Sequence, residues 1–216
     1  MRSIILTAVL FLALAAFAEG QQEAPTAPES RPTRTPVSYG LVIDNSGSFR
    51  PILEKVIKLA SGIIDENNPG DEGFLVTFVD TPKIVLRQEI TASKAELRDA
   101  VENMFIEGGM TAMVDAVKSS ADYLSQNAKT DSDRPKALIL ITDGDERKSS
   151  SQLDDVLKML KASKIKVFVI AIAEEKIYAK IIDRLSKETG GTKYMPKTQE
   201  EITVTVKSVS AAIRAK

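Results

Sequence analysis

The sequence predicts an α/β protein: a doubly wound, mostly parallel sheet flanked by helices on both faces, with one antiparallel edge strand. Three observations carry that expectation. Apolar runs such as Ala137-Leu138-Ile139-Leu140-Ile141 have the composition of strands covered on both faces, as parallel sheets require. These runs alternate with longer stretches whose apolar residues recur at helical spacing, and that alternation implies right-handed βαβ crossovers. Between the runs at 73–79 and 83–86, however, stand only Asp80-Thr81-Pro82, too short a gap for a crossover helix, so this pair is expected to be antiparallel.

The chain has 216 residues, 43% of them apolar, which suits one domain with a substantial core plus a leader or tail. Lys and Arg (29) nearly balance Asp and Glu (30), so no strong basic field attracts phosphate backbones, and nucleic acid is not an expected partner. Cysteine and histidine are absent, which excludes disulfides, thiolate nucleophiles, His-based proton relays and the usual zinc or copper ligands. Any chemistry rests on oxygens and lysines.

Residues 1–18 read as a signal peptide. Arg2 supplies a positive start, an apolar stretch follows from Ile4 to Leu14, and Ala16-Phe17-Ala18 is a small-x-small cleavage site. The competing reading, an uncleaved anchor, meets an apolar run of roughly 15 residues against the roughly 20 that span a bilayer. No cysteine beside the cleavage site offers a lipid acceptor. The expectation is a chain exported to the periplasm or outside the cell, with no membrane span once mature. Residues 19–36 carry Pro25, Pro28, Pro32 and Pro36 among Gln, Glu, Thr and Ser, the composition of a flexible linker. The domain is expected over 37–216.

Within it, a first strand is expected at 37–43. A helix over 51–66 follows, with Val56, Ile57, Ala60, Ile63 and Ile64 on one face and Pro51 in its first turn. After the antiparallel pair, Ser93 with Glu96 forms a capping box that opens a helix reaching Phe105. Past Gly108-Gly109, a helix over 112–126 buries Met113, Val117, Ala121 and Leu124. A strand at 137–141, a helix marked by Leu153, Val156, Leu157 and Leu160, and a strand at 167–172 come next. Ile177, Ile181, Ile182 and Leu185 mark a helix stopped by Gly190-Gly191, and 192–195 suits a short edge strand. Thr198 with Glu201 caps a last helix whose Ile202, Val206, Val209 and Ile213 face the sheet.

Three polar turns end or enter these elements. Asp44-Asn45-Ser46-Gly47-Ser48 breaks from the first strand, Thr111 stands at a helix entry, and Thr142-Asp143-Gly144 ends the strand at 137–141. In a doubly wound sheet all three lie along the carboxyl edge, near the reversal of strand order, where such folds keep their sites. Asp44, Ser46, Ser48, Thr111 and Asp143 then offer two carboxylates and three hydroxyls, an oxygen set suited to a hard cation.

Those five residues, with Gly108-Gly109-Met110-Thr111 and Thr142-Asp143-Gly144, closely resemble the von Willebrand factor A domain and its metal-ion-dependent adhesion site. The resemblance spans nearly all of 37–216. It implies a Rossmann-like fold and a Mg2+ (or Mn2+) held directly by Ser46 and Ser48, with Asp44, Thr111 and Asp143 binding directly or through water. It also implies a position on the ion left for an Asp or Glu of a protein partner, the family's mode of adhesion. Unlike many animal relatives the chain has no cysteine pair tying its termini, and unlike membrane-embedded bacterial ones no flanking spans are expected. With the leader, this suggests a bacterial exported type acting as a monomer.

Nearby residues are ambiguous from sequence. Asp115 suits a bond toward the first loop or an exposed pairing with Lys118; Asp80 is explained by turn chemistry before Pro82; Asp145 and Glu146 add negative charge that either tunes metal affinity or repels wrong partners, or else belong to a solvated loop, the preferred reading; Asn45 and Gly47 serve backbone geometry. The leading functional reading is a non-catalytic, metal-dependent protein-binding module. A Mg2+-dependent hydrolase is the second, although Arg50, Arg147 and Lys148 lack a Gly-rich phosphate cradle. A structural domain with a vestigial metal loop is the third.

Overall fold

The computed structural model describes residues 35–131 and 133–215. The expected leader at 1–18 and nearly all of the linker at 19–36 lie outside the described residues. Six strands form one sheet: β1 (Ser38–Asp44), β2 (Glu72–Phe78), β3 (Ile84–Thr91), β4 (Lys136–Thr142), β5 (Ile165–Ala171) and β6 (Lys193–Tyr194). Their spatial order is β3-β2-β1-β4-β5-β6, parallel throughout except for the β2–β3 pair. The order reverses between β1 and β4, so the loops leaving these neighbours open a crevice at their carboxyl ends.

The helices are α1 (Leu53–Asp65), α2 (Lys94–Glu102), α3 (Met113–Asn127), α4 (Leu153–Ala162), α5 (Ala179–Glu188) and α6 (Gln199–Ala212). Two cores follow from the alternation of strand side chains. Leu41, Ile43, Ile139 and Ile141 pack with Val56, Leu59 and Ile63 of α1, Leu97 of α2 and Val209 of α6. Val42, Leu138 and Leu140 point the other way, onto Val117 and Leu124 of α3, Leu160 of α4 and Leu185 of α5. Each such side chain contributes roughly 1.5–3 kcal/mol when fully buried, so the sheet is held by its faces and leaves the loops at its carboxyl edge available for other work.

Boundaries differ from the sequence reading where polar residues carry regular structure. β3 continues to Thr91 instead of stopping at Leu86, because an edge strand tolerates Arg87, Gln88 and Glu89 without covering both faces. α1 starts at Leu53; Pro51 belongs to a short 3-10 helix, Gly47–Ile52, which turns the chain out of β1. α2 ends at Glu102, short of Phe105, where the Asn103 side chain bonds back to the carbonyl of Asp99 at 2.8 Å. Ser93 accepts the Glu96 amide at 3.3 Å, half of the expected box, whereas Thr198 and Glu201 complete both halves. α5 begins at Ala179 and leaves Ile177 in the preceding loop. Among the described residues no helix is long and apolar enough to cross a membrane.

Candidate metal centre

Asp44 closes β1 with its side chain buried. Its Oδ1 accepts the backbone N–H of Ser46 at 2.9 Å, which folds the polar loop back over the strand end. Its Oδ2 accepts the Thr142 hydroxyl at 3.1 Å, a bond across the strand switch between β1 and β4. The Ser46 and Ser48 hydroxyls stand 3.1 Å apart, and Ser48 donates to Asp143 Oδ2 at 2.9 Å. Four of the five expected ligands are thus joined in one hydrogen-bonded chain.

Thr111, the fifth, reaches the same edge through its backbone. Its carbonyl accepts the amides of Arg147 (2.9 Å) and Lys148 (3.0 Å) from the loop that Asp143 begins. The next amide, Ala112, donates to Val79 O at 2.6 Å, while Asn45 O accepts Glu107 N at 3.2 Å and Gly108 N at 3.5 Å. The Thr111 hydroxyl is buried and has no hydrogen-bond partner. A buried hydroxyl without a partner costs about 1–3 kcal/mol; Tyr39, Ser61, Ser120 and Ser210 carry such hydroxyls elsewhere, and among the five expected ligands the Thr111 oxygen is the one left free to accept a ligand.

The electrostatics point the same way. Burial pushes the Asp44 carboxyl up to about 7, against the opposing bonds from Ser46 and Thr142, and the charge of Asp143 adds to the rise. Two buried carboxylates whose charges repel each other are stabilised by a cation. Among the described residues no cluster of three or more His, Cys, Asp or Glu side chains exists that could hold a metal. Two carboxylates and three hydroxyls still fit a hard cation, because such an ion takes neutral oxygens and keeps waters to complete its shell.

Several residues whose roles were ambiguous from sequence fix this arrangement. Asp115 pairs with neither the first loop nor Lys118, which bonds Asp122 instead at 2.9 Å. Its carboxylate accepts Thr81 Oγ1 (2.7 Å), Ser150 N (2.9 Å) and Ser151 N (2.8 Å), tying the β2–β3 turn to the loop after Asp143. Burial alone would raise the Asp115 carboxyl; the bonds from Ser151, Ser150 and Thr81 together outweigh it and hold the group well below the usual carboxylate range. Glu146 is not a solvated loop residue either. It accepts Val114 N at 2.8 Å and Ser149 N at 2.9 Å, and so occupies one of the free amides at the α3 amino end. Asp145 pairs with Arg147 at 2.6 Å, and Asp80 retains one buried carboxylate oxygen without a partner.

Asn45 does more than shape its own backbone, since its side-chain amide also donates to Phe105 O at 3.3 Å. Gly144 is required twice over: its φ is +83°, and a Cβ there would lie 2.2 Å from the Tyr178 carbonyl. The Tyr178 amide in turn donates to Asp143 O at 2.7 Å. The one local signal for the second tier was the position of Asp115, a single turn into α3 and therefore near the loops that its helix entry meets.

The family model of the von Willebrand factor type A domain matches residues 40–210. The chain belongs to that family. Solved structures agree on the fold of this vWA domain. A von Willebrand factor type A protein from Catenulispora acidiphila superposes with a TM-score of 0.70 at 18% identity, over 83% of this chain and 43% of that one. An aerotolerance-related membrane protein from Bacteroides fragilis gives 0.67 at 18% identity, over 82% and 98%. A conserved hypothetical protein, BatB, from Bacteroides thetaiotaomicron gives 0.64 at 17%, over 83% and 100%. Among curated proteins, an uncharacterized protein of Synechocystis is 33% identical over 114 residues, 52% of this chain. That match spans only 26% of the relative's length.

Proposed function

We propose that this vWA domain is a non-catalytic, divalent-metal-dependent module that binds another protein. Ser46 and Ser48, with Asp44, Thr111 and Asp143, would hold Mg2+ (or Mn2+). When bound, the ion supplies Lewis acidity toward an Asp or Glu carboxylate of the partner. The observation that carries the reading is the pair of buried carboxylates Asp44 and Asp143, whose mutual repulsion has no compensating cation among the described residues, with the buried Thr111 hydroxyl left unpartnered at the same edge of the sheet.

A hydrolase is the weaker reading. The chain has no histidine or cysteine to move protons or attack, and Arg147, one of the cations near the centre in sequence, is engaged by Asp145. With the signal peptide at 1–18, the module would act as a monomer outside the cytoplasm of a bacterium.

Calorimetric titration with Mg2+, followed by partner capture in Mg2+ and in EDTA, tests the proposal. Wild type is expected to bind the ion and the partner, while Asp44→Ala, Ser46→Ala and Thr111→Ala keep the far-UV CD spectrum and lose both. Undiminished capture in EDTA by wild type and Asp44→Ala alike would place the partner on another surface. Absence of any Mg2+ heat would favour a vestigial loop.

A further inference from the structure

Six large apolar side chains are exposed among the described residues: Leu86, Phe105, Met110, Tyr178, Met195 and Val204. Four of them stand on loops around the candidate metal centre. Phe105 and Met110 flank Gly108-Gly109 on the α2–α3 loop, which is bonded to Asn45 and leads directly into Thr111. Tyr178 lies on the β5–α5 loop, its amide on Asp143 O, and Met195 follows β6. The strand order puts the first pair on the β2 side of the centre and the second pair on the β5–β6 side. A lone exposed apolar residue is ordinary, but four placed on both sides of one polar centre form the pattern of an interface with water-excluding edges.

The two aromatic rings are held in place. The Arg87 guanidinium lies 4.9 Å from the Phe105 ring centroid and is itself bonded to Thr77 and Glu107. The Lys176 ammonium lies 4.5 Å from the Tyr178 centroid. Rings fixed in this way lose less freedom when a partner covers them. Tyr178, Ser48 and Asp143 line a common cleft of about 350 Å3, which shares Pro51 and Ala173 in its lining with a neighbouring cleft of about 660 Å3 that Met195 lines.

We propose that the epitope this domain recognises is a single Asp or Glu set among apolar side chains, with Phe105 and Met110 covering its neighbours on one side and Tyr178 and Met195 on the other. The proposal rests on the metal-binding reading above. Apolar neighbours on both sides exclude water from the centre, and a carboxylate binds a cation more strongly as the local dielectric falls. An acid-rich epitope is disfavoured beside Tyr178, because Asp143, Asp145, Glu174 and Glu175 outnumber Arg147 and Lys176 along the smaller cleft, whereas Lys55 and Lys197 balance the two glutamates in the larger one.

A phage-displayed peptide library with a fixed central Glu and randomised flanks, panned against the purified protein in Mg2+, tests this. Enrichment of aromatic and branched apolar flanks is expected, with no enrichment from the same library carrying a central Gln. The selected peptides should bind Met110→Ala and Tyr178→Ala about tenfold more weakly, while both variants keep the Mg2+ affinity of wild type. Enrichment of Lys or Arg flanks, of Asp or Glu flanks, or of no flank at all would overturn the proposal, as would full affinity in both variants. Peptides retained equally in EDTA would sink the metal reading instead, a result that wrong flanks with intact Mg2+ dependence would not give.

Discussion

The sheet buries a carboxylate at each of its two edges and treats the two in opposite ways. At the amino edge Asp71 accepts Val37 N at 3.0 Å and Asn68 N at 2.6 Å, and pairs with the Arg214 guanidinium just past α6, which also donates to Ser210 O. Both charges of this pair are compensated inside the fold, although Tyr39 and Ser210 beside it also keep unpartnered hydroxyls. At the carboxyl edge Asp44 faces Asp143, and Thr111 keeps a buried hydroxyl with nothing to bond. A buried charge paired internally locks elements together, whereas two like charges without an internal counter-charge mark where a cation would complete the structure.

Arg214→Ala should break that comparison most severely. Removing one member of a buried ion pair leaves Asp71 uncompensated and is expected to cost about 3–5 kcal/mol in urea denaturation, with Mg2+ affinity unchanged. A loss below about 1 kcal/mol would mean the amino edge is not locked as described.

Next in size is the response of the metal-free protein to pH. The Asp44 carboxyl is raised from 3.8 to about 7, so its proton stabilises the fold below pH ~4, and that stability is lost as pH rises through about 7. Denaturation midpoints should therefore fall across this window and stay flat in Asp44→Asn. Because the proton competes with the ion, Mg2+ affinity should weaken as pH drops below 7, and a flat binding profile would contradict the buried state of Asp44.

Added Mg2+ should sharpen the contrast. At about 100 times its dissociation constant the ion is expected to stabilise wild type by ~2.7 kcal/mol, and Asp44→Ala and Thr111→Ala not at all. Equal thermal shifts in wild type and both variants would locate the ion elsewhere.

The smallest effect belongs to Asp115, which holds the loops around Thr111 without being among the five expected ligands. Asp115→Asn is expected to cost about 1–3 kcal/mol and to weaken Mg2+ roughly tenfold, since only one bonding pattern of the carboxylate survives in an amide. Its depressed pKa also means that wild type loses stability as pH falls below the ordinary carboxylate range, and the variant should lose less. A variant with wild-type Mg2+ affinity would restrict Asp115 to a role in the fold.

Much of this was legible in advance, and for a common reason. The β1 and β4 runs, the apolar faces of α1, α3 and α6, and the Thr198–Glu201 cap each depend on residues close in the chain, so their periodicity shows in the sequence. The extension of β3 through Arg87 and Glu89 did not show, because an edge strand is decided by its neighbour β2 and not by its own alternation. The candidate ligands were readable as three polar turns, since strand order alone brings such turns together.

The sequence by itself determined the α/β class, the vWA resemblance and the five residues offered to a cation. Those rest on short-range patterns and on the ends of strands. The tertiary structure alone decided which of their oxygens already have partners. Asp44 bonds Thr142 across 98 positions and Asp115 bonds Ser151 across 36, while the Thr111 hydroxyl bonds nothing. Satisfaction of a polar atom depends on every group within hydrogen-bond reach, and in a doubly wound sheet those groups come from distant loops folded onto one edge.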